Sequence, residues 1–183
     1  MNEPRRNLEL KAKDADPVAT LAARKSLGAE DRGVLTQRDT YFNALHGRLK
    51  LREEEGAKPY LIAYERPDLG GQRESRYRIV EVQDAEELKA ALAATLGIKV
   101  VVAKERRLFL WEGNVRIHLD SVEGLGDFIE FEAVAGASSD LSREQEQVAF
   151  LRETFQIAES DLIATSYSDL VLNVARQEPR AQG

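Results

Sequence analysis

Residues 114–133 read NVRIHLDSVEGLGDFIEFEA, and this stretch predicts two β-strands joined by a tight turn. Polar and aliphatic residues alternate through its first half, which is the period-2 pattern of a strand with one polar face. Arg116, His118 and Asp120 share that polar face. The two glycines of the segment GLG then predict a turn, because glycine adopts the backbone angles that tight turns require.

The second half of the stretch is anionic on one face. Glu130 and Glu132 alternate with Ile129 and Phe131, so both carboxylates project to the same side of the second strand. Together with Asp120, the hairpin therefore gathers three carboxylates and one guanidinium on neighbouring strands. This concentration of negative charge predicts that other parts of the chain supply cations to meet it.

Six further segments show strand patterns, which brings the predicted number of strands to about eight. They are residues 6–13, 37–43, 48–53, 59–66, 74–82 and 99–111. Short turns between most of them imply antiparallel neighbours, and eight antiparallel strands can close into a barrel without exposed edges. We therefore predict an α+β fold, in which helices flank a closed antiparallel eight-stranded β-barrel that forms a tunnel.

The predicted helices lie between and after the strands. Asp16 is the expected N-cap of a helix over residues 17–27 that buries Val18, Leu21 and Ala22. The other predicted helices begin near residues 84, 142 and 161, where capping residues precede apolar positions at helical spacing.

The composition indicates a charge-rich globular protein. Of its 183 residues, 43% are hydrophobic and 32% are charged, and the net charge is -6. This negative balance argues against binding of nucleic acids or membranes through bulk charge. We predict a single domain over residues 1–183, with a core at about 6–175 and a polar tail at 176–183.

The residue types present restrict the metal chemistry and the location. The chain has no cysteine, which excludes disulfides and thiolate metal sites, and it has only two histidines. Any metal ion is therefore held mainly by oxygen, which favours Mg²⁺ or Mn²⁺. The first residues lack the apolar core of a signal peptide, and no apolar run is long enough to span a bilayer. We predict a cytoplasmic protein without membrane contact.

Charges on the predicted strands are sorted by sign. Arg48, Lys50 and Arg52 share one face of their strand, and Lys104 and Arg106 share one face of another. One interpretation is an ordinary half-exposed sheet with cross-strand ion pairs. The other is a cavity for a polyanion, in which cations hold phosphate oxygens and carboxylates hold the divalent ion that bridges them. The pattern by itself leaves both interpretations open.

Several segments resemble, in order and spacing, the CYTH superfamily, also called triphosphate tunnel metalloenzymes. They are NLELKAK, RDTYF, LKLR, VVAKERR, RIHLDSVEGLGDFIEFE and SYSDL, which together run from about residue 6 to residue 171. The resemblance is closest to the class IV adenylyl cyclase-like branch. It implies an eight-stranded antiparallel tunnel with a charged interior, in agreement with the strand patterns.

The resemblance also implies roles for individual residues. The family motif E-x-E-x-K reads Asn7-Leu8-Glu9-Leu10-Lys11 here, so an amide replaces its first carboxylate. The implied metal ligands are Glu9, Asp120, Glu130 and Glu132. The implied phosphate-binding residues are Lys50, Arg52, Arg66, Lys104, Arg106 and Arg116, with Arg66 near the place of a family lysine. The implied catalytic residues are Lys11, Glu9 and Glu132.

Two reactions fit such a site. A cyclase would convert ATP to cyclic AMP and pyrophosphate, and this is the activity that the resemblance favours. A triphosphatase would hydrolyse thiamine triphosphate, inorganic tripolyphosphate or a nucleoside triphosphate. A third alternative is a module that binds a nucleotide or polyphosphate without turnover. The expected partner is a small triphosphate-containing molecule and not a nucleic acid, and a homodimer is left open.

Overall fold

The computed structural model describes residues 3–177, and within them eight antiparallel strands form a closed barrel. The strands are β1 (Arg5–Lys13), β2 (Glu30–Phe42), β3 (Arg48–Glu54), β4 (Tyr60–Glu65), β5 (Arg73–Glu81), β6 (Ile98–Trp111), β7 (Val115–Val122) and β8 (Gly126–Ala135). Their order around the barrel is β1-β5-β4-β3-β2-β6-β7-β8, and β8 pairs with β1 to close it. The predicted eight-stranded tunnel is confirmed.

Within residues 3–177, four α-helices flank the barrel. They are α1 (Pro17–Ser26), α2 (Ala85–Leu96), α3 (Ser142–Thr154) and α4 (Tyr167–Gln177), and a short 3-10 helix spans Glu159–Asp161. The carboxylates of Asp16 and Asp84 cap α1 and α2 by accepting backbone N–H bonds, as the sequence predicts. None of these helices combines the length and apolar character needed to cross a membrane.

The hairpin of β7 and β8 brings its charged residues into register. Arg116 lies opposite Glu132, and His118 lies opposite Glu130. On its other side β8 pairs with β1, where Glu9 faces Glu132 across the strands. Side chains that are opposite in register project to the same side of the sheet, so the anionic face of this hairpin turns into the barrel.

The hydrophobic core lies on the outside of the barrel wall, under the helices. Leu10 and Phe131, which alternate with the inward polar residues of β1 and β8, are fully buried together with Val148 and Leu151 of α3. A second layer forms where α2 covers β2 and β3. Strand alternation therefore produces an apolar outer face and a charged inner face from the same eight strands.

β2 is longer than the sequence predicts. It begins at Glu30, whereas the pattern indicated a strand from residue 37. The register with β6 shifts between Asp31 and Val34. This irregularity removes the alternation that identifies a strand in a sequence.

The predicted burial of α1 is wrong in two of three positions. Val18 is 79% exposed and Ala22 is also exposed, whereas Leu21 packs against the core. α1 is a short helix in the connection from β1 to β2, and none of its residues is fully buried. The predicted polar tail lies outside the described residues from residue 178 onward.

Candidate active site

The barrel encloses a cavity of about 740 Å³, a size typical of ligand-binding cavities. All eight strands contribute inward side chains to its wall, and Ser166 and Tyr167 at the start of α4 also contact it. Most of the residues singled out from the sequence line this one cavity. They are Glu9, Lys11, Lys50, Arg52, Arg66, Lys104, Arg106, Arg116, Glu130 and Glu132.

One group of cations is built around Asp39 of β2. Arg52 donates from Nε and Nη2 to the two Asp39 oxygens, each at 2.6 Å, and Lys50 Nζ lies 2.8 Å from Oδ2. Asp39 is only 1% exposed. Although burial alone would raise the pKa of Asp39, the charges of Arg52 and Lys50 hold it well below its usual value. Asp39 is therefore a buried anion under two cations of the cavity wall.

A second group is built in the same way around Asp120 of β7. Arg106 donates from Nε and Nη2 to the two Asp120 oxygens at 2.6 and 2.5 Å, and Lys104 Nζ lies 3.5 Å from Oδ2. The Tyr167 hydroxyl donates to Oδ2 at 2.8 Å. Burial raises the pKa of Asp120, but the charges of Arg106 and Lys104 outweigh it and lower the pKa.

The position of Asp120 differs from that expected of a metal ligand. Its side chain is buried and does not belong to the cavity lining within residues 3–177. Both of its oxygens already accept hydrogen bonds from Arg106, and one also accepts from Tyr167. The sequence pattern could not show this, because alternation places Asp120 on the inner face without revealing which neighbour covers it.

Glu9 of β1 lies between two arginines. Arg66, which follows β4, donates to Glu9 Oε1, and Arg73 of β5 donates to the same oxygen at 3.1 Å. The Arg73 side chain is fully buried and also donates to the backbone carbonyls of Leu69 and Ile163. Arg66 thus reaches the cavity from the segment that follows β4.

The carboxylates of β8 contact cations from both neighbouring strands. Lys11 Nζ lies 3.4 Å from Glu130 Oε2, and Arg106 lies 3.7 Å from the same oxygen. Burial alone would raise the pKa of Glu130, but the charges of Lys11 and Arg106 hold it well below its usual value. Arg116 Nη1 contacts Glu132 Oε2 at 3.2 Å, at a position where the arginine side chain is 40% exposed.

Tyr167 of α4 lines a buried part of the cavity beside two lysines. Lys11 Nζ lies 3.7 Å from the centroid of the Tyr167 ring, and Lys104 Nζ lies 5.0 Å from it. Both distances are within the range of cation–π attraction. Burial lowers the pKa of Lys11, although the nearby charge of Glu130 opposes this change. The ring thus helps to hold two buried ammonium groups.

Another part of the cavity lining is more exposed and partly apolar. This part carries Lys58 and Glu81, whose side chains are largely exposed. The apolar side chains that line the cavity are Leu35, Tyr60, Ile62, Tyr77, Ile79 and Leu108. The cavity therefore combines a cationic interior with an apolar lining, which suits a ligand that has both a charged and a flat apolar part.

His118 is a buried neutral group of the cavity wall. It is 4% exposed, and burial lowers its pKa well below the usual value. Its Nε2 lies 3.8 Å from Glu132 Oε2, and Nδ1 has no hydrogen-bond partner within the described part of the chain. The contact with Glu132 is longer than a hydrogen bond.

The oxygen donors of β1 and β8 fit a hard divalent cation in chemistry. Asn7 donates its amide N–H to Glu132, which leaves the buried Oδ1 without a partner among residues 3–177. Glu9, Glu130 and Glu132 add carboxylate oxygens on the same wall, and Mg²⁺ and Mn²⁺ prefer such ligands. These carboxylates now face cations, and no three acidic or histidine side chains of residues 3–177 converge on one point. Ion binding therefore requires them to turn away from their present partners.

Arg48 differs from the other cations of β3. Its Nη2 contacts both oxygens of Asp68 at 2.7 Å and Asp169 Oδ2 at 3.3 Å. Because these partners lie in the β4–β5 loop and in α4, Arg48 fastens those segments and does not line the cavity. Glu105 is exposed, as the alternation of β6 predicts, and Lys13 is exposed because it is the last residue of β1.

The sequence-based interpretation missed two buried residues of the site. Asp39 shares the inward face of β2 with Gln37 and Tyr41. The two-residue alternation of β2 is the signal that indicates this face. Arg73 is the first residue of β5 and follows a loop, so periodicity offered no signal. Tyr167, the first residue of α4, also lines the cavity.

The chain is similar to known proteins over most of its length. Residues 5–167 match the family model of the CYTH domain. This match covers most of the chain, and the protein belongs to the CYTH family. Members of this superfamily generally depend on divalent metal ions.

Relatives with names and solved structures carry two kinds of activity label. A protein of Methanocaldococcus jannaschii, provisionally named an adenylate cyclase, is 26% identical over 173 residues, which is 89% of this chain and 97% of that protein. A structure from Vibrio parahaemolyticus, also provisionally named an adenylate cyclase, has a TM-score of 0.73 at 20% identity and covers 94% of this chain and 99% of its own. A Hippeastrum protein, provisionally named an adenylyl cyclase and described as having a dominant triphosphatase activity, has a TM-score of 0.59 at 16% identity. That comparison covers 93% of this chain and 96% of the Hippeastrum chain, and both structures share the fold.

Proposed function

We propose that the protein is a divalent-metal-dependent enzyme that processes a triphosphate, and that its reaction is the conversion of ATP to cyclic AMP and pyrophosphate. One observation carries this proposal. Cations from several strands and oxygen donors from β1 and β8 line the same cavity. Cations of this kind bind phosphate oxygens, and the carboxylates supply ligands for the ion that accompanies a triphosphate.

The residues that would hold the ion are Glu9, Glu130 and Glu132, with Asn7 Oδ1 as a neutral ligand. The proposed ion is Mg²⁺ or Mn²⁺, which would act as a Lewis acid and offset the negative charge of the phosphate groups. We assign Asp120, the fourth ligand expected from the resemblance, to the positioning of Arg106. Its oxygens accept from that arginine, and it lies behind the cavity wall.

The phosphate oxygens would be held by the cations of the cavity. The proposed residues are Lys11, Lys50, Arg52, Arg66, Lys104, Arg106 and Arg116. Their charges would stabilise the negative charge that spreads over the transferring phosphoryl group, and no covalent nucleophile is needed for this. Lys11 would bind a phosphate oxygen in the buried part of the cavity, where it lies between Glu130 and the Tyr167 ring. Glu9 and Glu132 would contribute to catalysis through the ion.

The apolar lining supports a nucleoside triphosphate over an inorganic one. Tyr60, Ile62 and Ile79 form a surface suited to a flat, poorly hydrated group such as a nucleobase. The M. jannaschii relative named an adenylate cyclase points the same way. In the cyclase reaction the ribose 3′-hydroxyl attacks the α-phosphate, and pyrophosphate is the leaving group.

A second candidate is hydrolysis of the terminal phosphate by water. The observation that favours it is the buried, cationic part of the cavity beside Lys11, Lys104 and Tyr167, where a terminal phosphate would be shielded from solvent. The triphosphatase activity described for the Hippeastrum protein supports the same reaction. ATP, thiamine triphosphate or tripolyphosphate are its candidate substrates. For either reaction we propose a cytoplasmic location, where such substrates occur, and a role that involves no nucleic acid.

One series of incubations tests the proposal. The protein is mixed with ATP, thiamine triphosphate or tripolyphosphate, together with Mg²⁺ or Mn²⁺, and cyclic AMP, pyrophosphate and phosphate are measured. Cyclic AMP with pyrophosphate supports the cyclase, and phosphate alone supports the triphosphatase. Thermal stabilisation by these ligands without product indicates a binding module. If no ligand is turned over or raises the melting temperature, the cavity does not bind triphosphates.

The role of the β8 carboxylates can be tested with a matched pair of variants. Glu132→Ala should abolish metal-dependent turnover, because it removes an oxygen donor from the cavity wall. Glu123→Ala removes an exposed carboxylate from the turn before β8 and should leave turnover unchanged. Both proteins should remain folded by circular dichroism. Equal metal dependence in the two variants would show that Glu132 does not bind the metal ion.

A further inference from the structure

The cationic wall of the cavity consists of two units with the same construction. In each unit a lysine and an arginine two positions apart on one strand contact an aspartate on the neighbouring strand. The units are Lys50 and Arg52 of β3 with Asp39 of β2, and Lys104 and Arg106 of β6 with Asp120 of β7. The resemblance implied a role for every cation and for Asp120, but none for Asp39.

Asp39 lies behind the wall and not on it. It is 1% exposed and is absent from the cavity lining of the described residues, whereas Lys50 and Arg52 are part of that lining. In register, Asp39 is directly opposite Arg52. Both of its oxygens are engaged by Arg52 at 2.6 Å, and one also by Lys50 at 2.8 Å. A ligand in the cavity can therefore contact the two cations without contacting Asp39.

The physical effect of Asp39 is to preorganise these cations. Arg52 and Lys104 are buried and Lys50 is half-buried, so three like charges lie close together in the wall. Burial, followed by the charges of nearby arginines, lowers the pKa of both lysines. A buried carboxylate among these cations offsets their repulsion. The two parallel bonds to Arg52 also fix the plane of its guanidinium, which a single bond would leave free to rotate. The cations are thus held in place before a ligand arrives.

We propose that Asp39 is a positioning residue for phosphate binding, which holds Arg52 and Lys50 toward the cavity and does not itself contact the substrate. This inference rests on the proposed function, because it assumes that phosphate groups occupy the cavity. It assigns to β2 a part in the site beyond forming the wall. It also predicts that the loss of Asp39 acts through the affinity for phosphate and through its pH dependence.

The protonation of Lys50 provides a readout that a purely structural role would not change. Burial, followed by the charge of Arg52, lowers the pKa of Lys50 to about 8, while Asp39 opposes this change. The groups that face Lys50 are Asp39 and Tyr41 of β2, Arg52 of β3, Tyr64 of β4 and Arg106 of β6. Removing the charge of Asp39 should lower the pKa of Lys50 further. Phosphate binding should then weaken at a lower pH than in the wild type.

The experiment measures tripolyphosphate binding by calorimetry between pH 6 and pH 9, with and without Mn²⁺. For Asp39→Asn we expect the affinity at pH 7 to fall by about tenfold or more, since small misplacements of binding groups have effects of this order or larger. We also expect the pH at which affinity declines to move downward. Asp31→Asn is the matched control, because Asp31 is also on β2 and pairs with an arginine of β6 at 2.7 Å on the exposed side of the barrel. It should change neither quantity.

A second pair of variants guards against misfolding. Asp39→Asn leaves two buried cations without their partner, which can destabilise the fold. The double variant Asp39→Asn/Lys50→Met removes one cation together with the anion, and it is compared with Lys50→Met alone. If Asp39 positions Arg52, the double variant should bind tripolyphosphate about tenfold more weakly than Lys50→Met, because the guanidinium is no longer held.

The outcomes separate this inference from the proposed function. If wild-type protein binds tripolyphosphate but Asp39→Asn binds it equally or more tightly with the same pH dependence, Asp39 is not a positioning residue and only this inference fails. Equal binding by Lys50→Met and the double variant would likewise show that Asp39 does not position Arg52. If wild-type protein does not bind tripolyphosphate at any pH, the proposed function fails as well.

Discussion

Asn7 is the residue at which the proposed metal site departs from the family motif. The family motif has a carboxylate at this position, whereas the amide of Asn7 donates to Glu132 and leaves a buried oxygen without a partner among residues 3–177. An amide oxygen can ligate a divalent ion but contributes no negative charge. We therefore expect the amide of Asn7 to lower the affinity for a metal ion without lowering the stability of the fold.

The corresponding prediction is that Asn7→Glu binds Mn²⁺ more tightly than the wild type. One added carboxylate beside Glu9 and Glu132 should raise the affinity by about tenfold, which corresponds to about 1.4 kcal/mol. Isothermal titration with Mn²⁺ measures the change. Asn173→Glu adds the same charge at an exposed position of α4 and serves as the control. An unchanged titration for Asn7→Glu would show that residue 7 is not near the ion.

At the scale of elements, α3 and α1 differ in how far their apolar side chains are buried against the barrel. Val148 and Leu151 of α3 are fully buried against the outer face of β1 and β8. α1 also has apolar residues at helical spacing, but it lies in the connection between β1 and β2 and leaves Val18 79% exposed. α3 therefore contributes to the stability of the wall that carries Glu9, Glu130 and Glu132, whereas α1 contributes much less.

This difference predicts the stability of two truncated side chains. Leu151→Ala should lower the free energy of unfolding by about 2–5 kcal/mol, because it removes buried methyl groups and leaves a cavity. Val18→Ala should change it by no more than about 0.5 kcal/mol, as expected for an exposed position. Urea unfolding monitored by circular dichroism measures both values. Similar losses in the two variants would contradict the packing described for α1 and α3.

At the scale of the molecule, closure of the barrel separates the charges of a protein with net charge -6. Alternation sends Lys104 and Arg106 of β6 inward and Glu105 outward. Because β1, β3 and β6 each turn cations to the same interior, an acidic protein acquires a cationic cavity. Its electrostatic attraction for a polyanion is therefore a property of the closed barrel and not of the composition.

Because the closed barrel holds a cationic cavity, we expect tripolyphosphate to stabilise the fold to an extent that depends on pH. A ligand present at 100 times its dissociation constant should stabilise the fold by about 2.7 kcal/mol. Lys50, with its pKa lowered to about 8, is charged below that pH and neutral above it. The stabilisation measured by thermal unfolding should therefore be smaller at pH 9 than at pH 7.

Lys50→Arg is the control for this prediction. An arginine stays charged throughout this range, so the loss of stabilisation between pH 7 and pH 9 should be smaller in this variant. The comparison also cancels the titration of tripolyphosphate itself. An identical pH dependence in wild type and variant would show that Lys50 does not contact the ligand.

Sequence patterns predicted much of this organisation because strand alternation is a local property. The alternation in residues 114–133 was sufficient to place Glu130 and Glu132 on one face, and the hairpin register confirms it. The capping residues Asp16 and Asp84 likewise marked the starts of α1 and α2. The early start of β2 was missed because a bulge interrupts its alternation.

The amino-acid sequence by itself determined the strand patterns of the eight-stranded barrel and the sorting of charges between the faces of its strands. Each of these depends on the two-residue repeat of a strand, which neighbouring residues specify. Only the tertiary structure decided which partner each charge meets. Asp39 and Asp120 each contact an arginine of the adjoining hairpin strand, whereas Arg73 and Tyr167 reach Glu9 and Asp120 from distant parts of the chain because the closed barrel brings those parts together.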